Sequence, residues 1–256
     1  MNQTIQPCYA LPSIKTLDGV PDHEPPGDLD TTPILIASFH NGNIDERVLA
    51  AQQRVFHAFG LHINQWRSDR PHGEAMDEFI AASRGLPWAV ACLFDVDAIP
   101  TDRNKFLALV NDMAQGLCGL IGGAHNANHH REEDGRLCRD YVSPACQIVT
   151  RQVIEEALQD GIGYAIKPCL EGQRGFYDAG EHFSEWAQER FDVELLYPVS
   201  VAEERWWLER EAVRGKAVKF GLGTEYSHFY HQFEIRTGNN VEAFVERCER
   251  AIRENA

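Results

Sequence analysis

The chain has 256 residues, 43% hydrophobic and 25% charged, with a formal net charge of −15. These proportions exclude a mostly disordered chain, and the length can bury the core of one large α/β domain or two small ones. The acidic balance argues against a protein that grips duplex nucleic acid by neutralising many phosphates.

Residues 1–32 carry no steady periodicity, and PDHEPPGDLD is rich in proline and acid, so an extended arm or surface wrap is expected there. A single folded domain is expected over 33–256. Ile34 to Phe39 is a continuous apolar run, as in a strand buried on both faces. His40 to Asn43 is a turn. Asp45 can cap a helix in which Val48, Leu49, Val55, Phe56 and Phe59 keep helical spacing, and Gly60 stops it. Leu61 to Trp66 is a second strand, so the chain opens as strand, helix, strand, the start of a parallel α/β sheet. A polar loop over Arg67–Gly73 leads to a short helix over Glu74–Ser83, and Trp88–Phe94 is a third strand that runs into Asp95-Val96-Asp97.

Phe106, Leu109, Val110, Met113 and Leu117 mark the next helix, and Cys118–Gly122 a strand. His125-Asn126-Ala127-Asn128-His129-His130 and REEDGR form a loop. Tyr141–Thr150 is extended. Val153, Ile154, Ala157 and Leu158 give a helix that ends at Gly161. Glu181–Arg190 is a helix and Val193–Tyr197 a strand; Tyr226–Ile235 reads as a strand or tight loop. Val241, Phe244, Val245, Cys248 and Ile252 form one face of a final helix. No stretch reaches the roughly 18 apolar residues of a membrane helix. The start lacks the basic region and apolar run of a secretory signal, so a cytoplasmic location and no membrane contact are expected. The seven cysteines include no C-x-x-C pair, which points to reduced, buried thiols.

The feature richest in chemistry is WAVACLFDVDAIP. Two carboxylates one residue apart, at the end of a buried strand, can hold a hard divalent cation or act as nucleophile and acid. A solvated turn is the plainer reading of a D-x-D, but its place directly after a buried strand favours chemistry.

Taken in order, PILIASFHNGN, a helix, LHINQW, HGEAMD and LFDVDAIPTD resemble a nucleotide-sugar glycosyltransferase of the GT-A fold. The resemblance spans roughly residues 33–236, and D-x-D is its diagnostic motif. It implies an α/β fold with a Rossmann-like, mainly parallel sheet flanked by helices. It implies Mn²⁺ or Mg²⁺ as cofactor, bridging the diphosphate of a nucleoside-diphosphate-sugar donor, with UDP the most frequent nucleotide. Asp95 and Asp97 would be the motif carboxylates, with Asp95 also placed to touch the ribose. Ser38, Phe39 and Asn41 would line the base pocket, and Arg70, His72 and Asp77 fall where further donor contacts lie. GTEYSHFYHQFEIR offers His231 as the third metal ligand, with His228 as the alternative, and Arg236 as a bidentate partner of the diphosphate.

On the acceptor side, GFYDAGEHFSEWAQ places Asp178 and Glu181 near a helix start. One of them could deprotonate an acceptor hydroxyl, or both could simply serve the helix terminus. Retention or inversion is open, as is the acceptor: a glycan, a metabolite, a protein or a hydroxymethylated DNA base. HNANHH is a polar loop that could touch a sugar or, less simply, bind a second metal. Trp206-Trp207 could stack on a sugar or pack in the core. Two other classes stay open. One is a phosphatase of the haloacid-dehalogenase type using Asp95 and Asp97, although its motif normally opens the core. The other is a non-catalytic domain that binds a sugar nucleotide or glycan.

Overall fold

The computed structural model describes residues 33–127, 130–131, 140–168, 173–174, 176–202, 206–208, 218–235, 238 and 240–256. The arm expected over 1–32, most of the HNANHH–REEDGR loop, and Arg236 lie outside the described residues. The first half of the chain holds β1 (Ile34–His40), α1 (Glu46–Ala58), β2 (Asn64–Arg67), α2 (His72–Ser83), β3 (Val90–Asp95), β4 (Ala98–Pro100), α3 (Arg103–Ala114), β5 (Leu120–His125) and β6 (His130–Arg131). There follow β7 (Tyr141–Thr150), α4 (Arg151–Gln159), β8 (Lys167–Pro168), β9 (Gln173–Arg174), β10 (Phe176–Tyr177) and α5 (Glu181–Gln188). The chain continues with β11 (Val193–Leu196), β12 (Ser200–Ala202), β13 (Trp206–Leu208), β14 (Val218–Phe220), β15 (Gly223–Glu225), β16 (Phe229–Gln232) and α6 (Val241–Glu254).

The protein is α/β, with a six-stranded sheet in the order β11-β5-β7-β3-β1-β2. Every strand of it is parallel to β3 except β7, which runs antiparallel between β3 and β5. Both faces are covered, and the sequence of β1 reflects this. Ile34 and Ile36 enter one core, while Leu35 and Ala37 enter the other, as the alternation of strand side chains demands. Val90, Cys92 and Phe94 of β3 join the first core, and Ala91 and Leu93 the second. The first core is closed by α1, α3 and α6 through Val48, Phe56, Phe106 and Phe244. The second is closed by α2, α4 and α5 through Met76, Phe79, Val153 and Phe183. Asp45 caps α1 by accepting from the Arg47 N–H at 2.9 Å. Gly60, at φ +73°, turns the chain out of the helix.

A second sheet, β12-β15-β16-β4, is antiparallel throughout. It adds a strand that the sequence reading did not place, since Ala98–Pro100 pairs although it is too short to show any periodicity. Within Tyr226–Ile235, expected as a strand or tight loop, the strand is Phe229–Gln232. The expected loop over 67–73 also ends early. α2 begins at His72, so that imidazole sits at a helix start. Among the described residues no helix is long and apolar enough to cross a membrane.

Candidate functional site

Parallel strands deliver their carboxyl ends to one edge, and β3 brings Asp95 there. The chain then turns through Val96 and Asp97 and leaves the main sheet as β4. β4 pairs with β16, with Ala98 opposite His231 and Ile99 opposite Tyr230. The Gln232 N–H donates to the Asp97 carbonyl at 2.9 Å, extending the same ladder. This pairing sets His231 beside the two acids. Its Nε2 lies 3.4 Å from Asp97 Oδ1 and 3.6 Å from Asp95 Oδ2. One ligand atom from each of Asp95, Asp97 and His231 falls within 4.8 Å of the others, and His228 is not in the group. On the far side of Asp95, His72 Nε2 is 3.1 Å from Oδ1. Both atoms are buried, and apart from this contact neither has a polar partner among the described residues. The His72 ring meets Phe39 edge-on at 5.8 Å between centroids.

Sequence reading missed the residue that holds this turn. Gln52 is fully buried in α1. Its Nε2 donates to the Asp95 carbonyl at 2.7 Å and to the Ala98 carbonyl at 2.9 Å. Its Oε1 accepts from Ser38 Oγ at 2.8 Å and from Gln65 Nε2 at 3.2 Å. The signal was present: a glutamine stands in the middle of the apolar stripe formed by Val48, Leu49, Val55 and Phe56, where a polar side chain needs partners.

The electrostatics suit a cation. Asp97 is 8% exposed. Burial raises its carboxyl pKa; the charge of Asp95 adds to this, and His231 opposes it. A cation would relieve both acids. Two carboxylates and an imidazole are a donor set that Mn²⁺ accepts readily and Mg²⁺ less so. Asp95 Oδ1 has His72 Nε2 beside it at 3.1 Å but makes no well-aligned hydrogen bond, which leaves room for a cation to satisfy it.

The other expected residues fall in different settings. Ser38 is fully buried and reaches the site through Gln52. Phe39 packs edge-on against His72 and Phe79. Asn41 is exposed, and its Oδ1 accepts from the Asn43 N–H at 3.0 Å. Arg70, 62% exposed in its side chain, stands 4.0 Å from both Glu74 and Glu78. Asp77 holds a loop: its two oxygens accept from the backbone N–H groups of Tyr164 and Ala165 at 2.8 and 3.1 Å.

Asp178 and Glu181 lie at the start of α5, where Gly180 at φ +73° sets the entry angle. Glu181, 1% exposed, accepts from the Asp178 N–H at 2.8 Å through Oε2. Asp178 Oδ1 accepts from the Ala179 N–H at 2.8 Å. Both carboxylates act on the sheet edge. Burial pushes the Tyr141 hydroxyl well up, and the charges of Asp178, Glu181 and Asp95 push it the same way. Tyr141 pairs with His125, and their rings lie 5.3 Å apart. The acids of α5 and Asp95 of the D-x-D turn therefore act on the same residue, Tyr141 at the start of β7.

No protein-family model matches the chain, and no curated protein matches it in sequence. Among solved structures, the chain is similar to the one described as "Crystal Structure of A197 from STIV" at 10% identity, over 48% of this chain and 67% of that one, with a TM-score of 0.32. A likeness of that depth carries no argument, and the reading of this chain rests on its own geometry.

Proposed function

We propose that the chain is a cation-dependent glycosyltransferase of the GT-A type, moving a sugar from a nucleoside-diphosphate donor to a hydroxyl acceptor. The observation that supports it best is the Asp95–Asp97–His231 group, assembled at the carboxyl edge of parallel strands by two different sheets. In open α/β sheets that edge is where ligands bind. A bound Mn²⁺ or Mg²⁺ would offset the charge that grows on a departing diphosphate. It would also let a chain of net charge −15 accept an anionic donor.

The chain's own groups divide the remaining work. Phe39, Asn41, Arg70, His72 and Arg236 are assigned to the donor, with Asp95 also reaching the ribose. Ser38 and Asp77 serve that side through the groups they hold, Gln52 and the loop at Tyr164. Asp178 and Glu181 are assigned to the acceptor and to the sugar that passes to it. A backbone N–H fixes one oxygen of each, which orients the carboxylate before a hydroxyl arrives. In an inverting reaction one of them takes the hydroxyl proton; in a retaining one it positions the sugar. UDP is the nucleotide assigned. The acceptor, reached in the cytoplasm, is a glycan, metabolite, protein or hydroxymethylated base.

The test is thermal melting with UDP, GDP, CDP and ADP, each with and without Mn²⁺. A ligand that binds only the folded state raises the midpoint. A rise for one nucleotide that requires Mn²⁺ is expected. No rise for any nucleotide, or a covalent phosphate on Asp95 after treatment with a phosphoryl donor, overturns the proposal.

A further inference from the structure

Beyond the cation group, the buried amide of Asn126 has no hydrogen-bond partner among the described residues. Asn126 follows β5 directly and is 1% exposed. Neither its Oδ1 nor its Nδ2 makes a hydrogen bond. An amide sealed from water with both ends unpaired is rare in a folded protein, and it costs stability at each end. Such a group persists where something other than the chain satisfies it.

Its surroundings restrict what that is. β5 and β3 flank β7 in the main sheet, so the strand leading into Asn126 lies two strand spacings, roughly 10 Å, from the one bearing Asp95. The adjoining His125 is lowered in pKa by burial; the charges of Asp178 and Glu181 oppose that lowering, and His231 favours it. His125 thus feels both the α5 carboxylates and His231 of the cation group. A phosphate fits this place poorly, because it only accepts hydrogen bonds from an amide and is repelled by two carboxylates. An apolar group would leave the amide unpaired. A hydroxyl both donates and accepts, which matches the amide, and it can donate to a carboxylate. Several hydroxyls on one rigid ring would serve the amide and the acids together.

We infer that Asn126, with Asp178 and Glu181, forms a subsite for the hydroxyls of a sugar ring beside the Asp95–Asp97–His231 group. This subsite rests on the transferase reading and extends it: Asn126 selects the sugar and leaves the nucleotide alone.

The experiment uses the full chain and Asn126→Leu, which keeps the side-chain size and removes the amide. Melting without ligand comes first. Asn126→Leu is expected to match or exceed the wild-type midpoint, because an unpaired amide has been removed. A fall of several degrees means that the amide serves the fold, and overturns the subsite. Titration in Mn²⁺ with UDP and with UDP-glucose, UDP-galactose, UDP-xylose and UDP-N-acetylglucosamine follows. UDP affinity is expected to be unchanged in the variant. The best UDP-sugar is expected to lose about tenfold or more, with the preference among sugars flattened. Equal loss for UDP and UDP-sugar, or no loss, overturns the subsite while the transferase reading stands. If wild type binds no nucleotide, the transferase reading falls. Melting with free monosaccharides then decides: a shift lost in Asn126→Leu keeps the subsite, and no shift removes it.

Discussion

Gln52 and Asp95, on different elements, are joined through the main chain: the buried amide of Gln52 donates to the Asp95 carbonyl at 2.7 Å. The same nitrogen reaches the Ala98 carbonyl, so the D-x-D turn is gripped on both sides of its second acid. A turn fixed at its backbone presents its carboxylates in one geometry, which is what a cation site requires.

Gln52→Leu should therefore weaken more than the fold. Losing four hydrogen bonds and stranding buried carbonyls predicts a loss of roughly 2–4 kcal/mol in denaturant unfolding. Mn²⁺ affinity should fall under conditions where the variant is still folded. Ser38→Ala removes a single partner and should cost about 1 kcal/mol. A Gln52→Leu protein with wild-type metal affinity would show that the clamp does not shape the site.

Asp97 gives a pH dependence of definite sign. Its pKa in the folded state is raised from the ordinary value of 3.8. The folded chain thus binds that proton more tightly than the unfolded chain. The stability this gives is full below 3.8 and is lost as pH rises through the folded pKa. Without cation, Asp97→Asn should melt above wild type at pH 7, and the gap should close toward pH 4. Burial lowers the pKa of His62 and His125, which destabilises the fold in acid. They do so in both proteins, so the difference between the two curves isolates Asp97. With Mn²⁺ present, wild type should gain and Asp97→Asn should not.

His72 touches the cation group through Asp95. His72→Ala frees Asp95 Oδ1 to rotate and should weaken Mn²⁺ binding by about 10–100-fold, the usual effect of removing a group that orients a ligand. His231→Ala should abolish binding, and His228→Ala should leave it unchanged. Calorimetric titration with Mn²⁺ alone reads all three.

Asp77 should behave as a scaffold residue. Asp77→Ala leaves the N–H groups of Tyr164 and Ala165 without acceptors and should cost roughly 2–3 kcal/mol in unfolding. Mn²⁺ affinity, measured on the folded fraction, should change less than twofold.

What the sequence made legible follows from period and length. β1 and β3 were readable because six consecutive apolar residues have few other uses, and α1 because Asp45, its stripe and Gly60 agree. Asp95 and Asp97 were readable because acids rarely end a buried strand without cause. His231 was one of two candidates, and the choice hung on a pairing no local pattern reveals: β4 has three residues and ends in proline, yet its register decides which imidazole meets the acids. Gln52 escaped because its importance lies in which partners it has in space, and it leaves the periodicity of its neighbours unchanged. Asn126 was legible only as one member of the polar HNANHH loop, since its burial without partners has no local pattern.

Asp95 ends a strand of the main sheet, and His231 belongs to the small one. The cation site therefore spans a seam, and a bound ion would act as a rivet between two layers otherwise joined here by three paired residues of β4 and β16. Opening that short ladder would dismantle the site and loosen the first core at Ile99, Phe229 and Tyr230, while the second core stayed intact. Amide exchange at Phe229–Gln232 should slow on adding Mn²⁺ more than exchange in β1. A substitution that only frays β16 and leaves His231 itself in place would then present itself as a defect in metal binding.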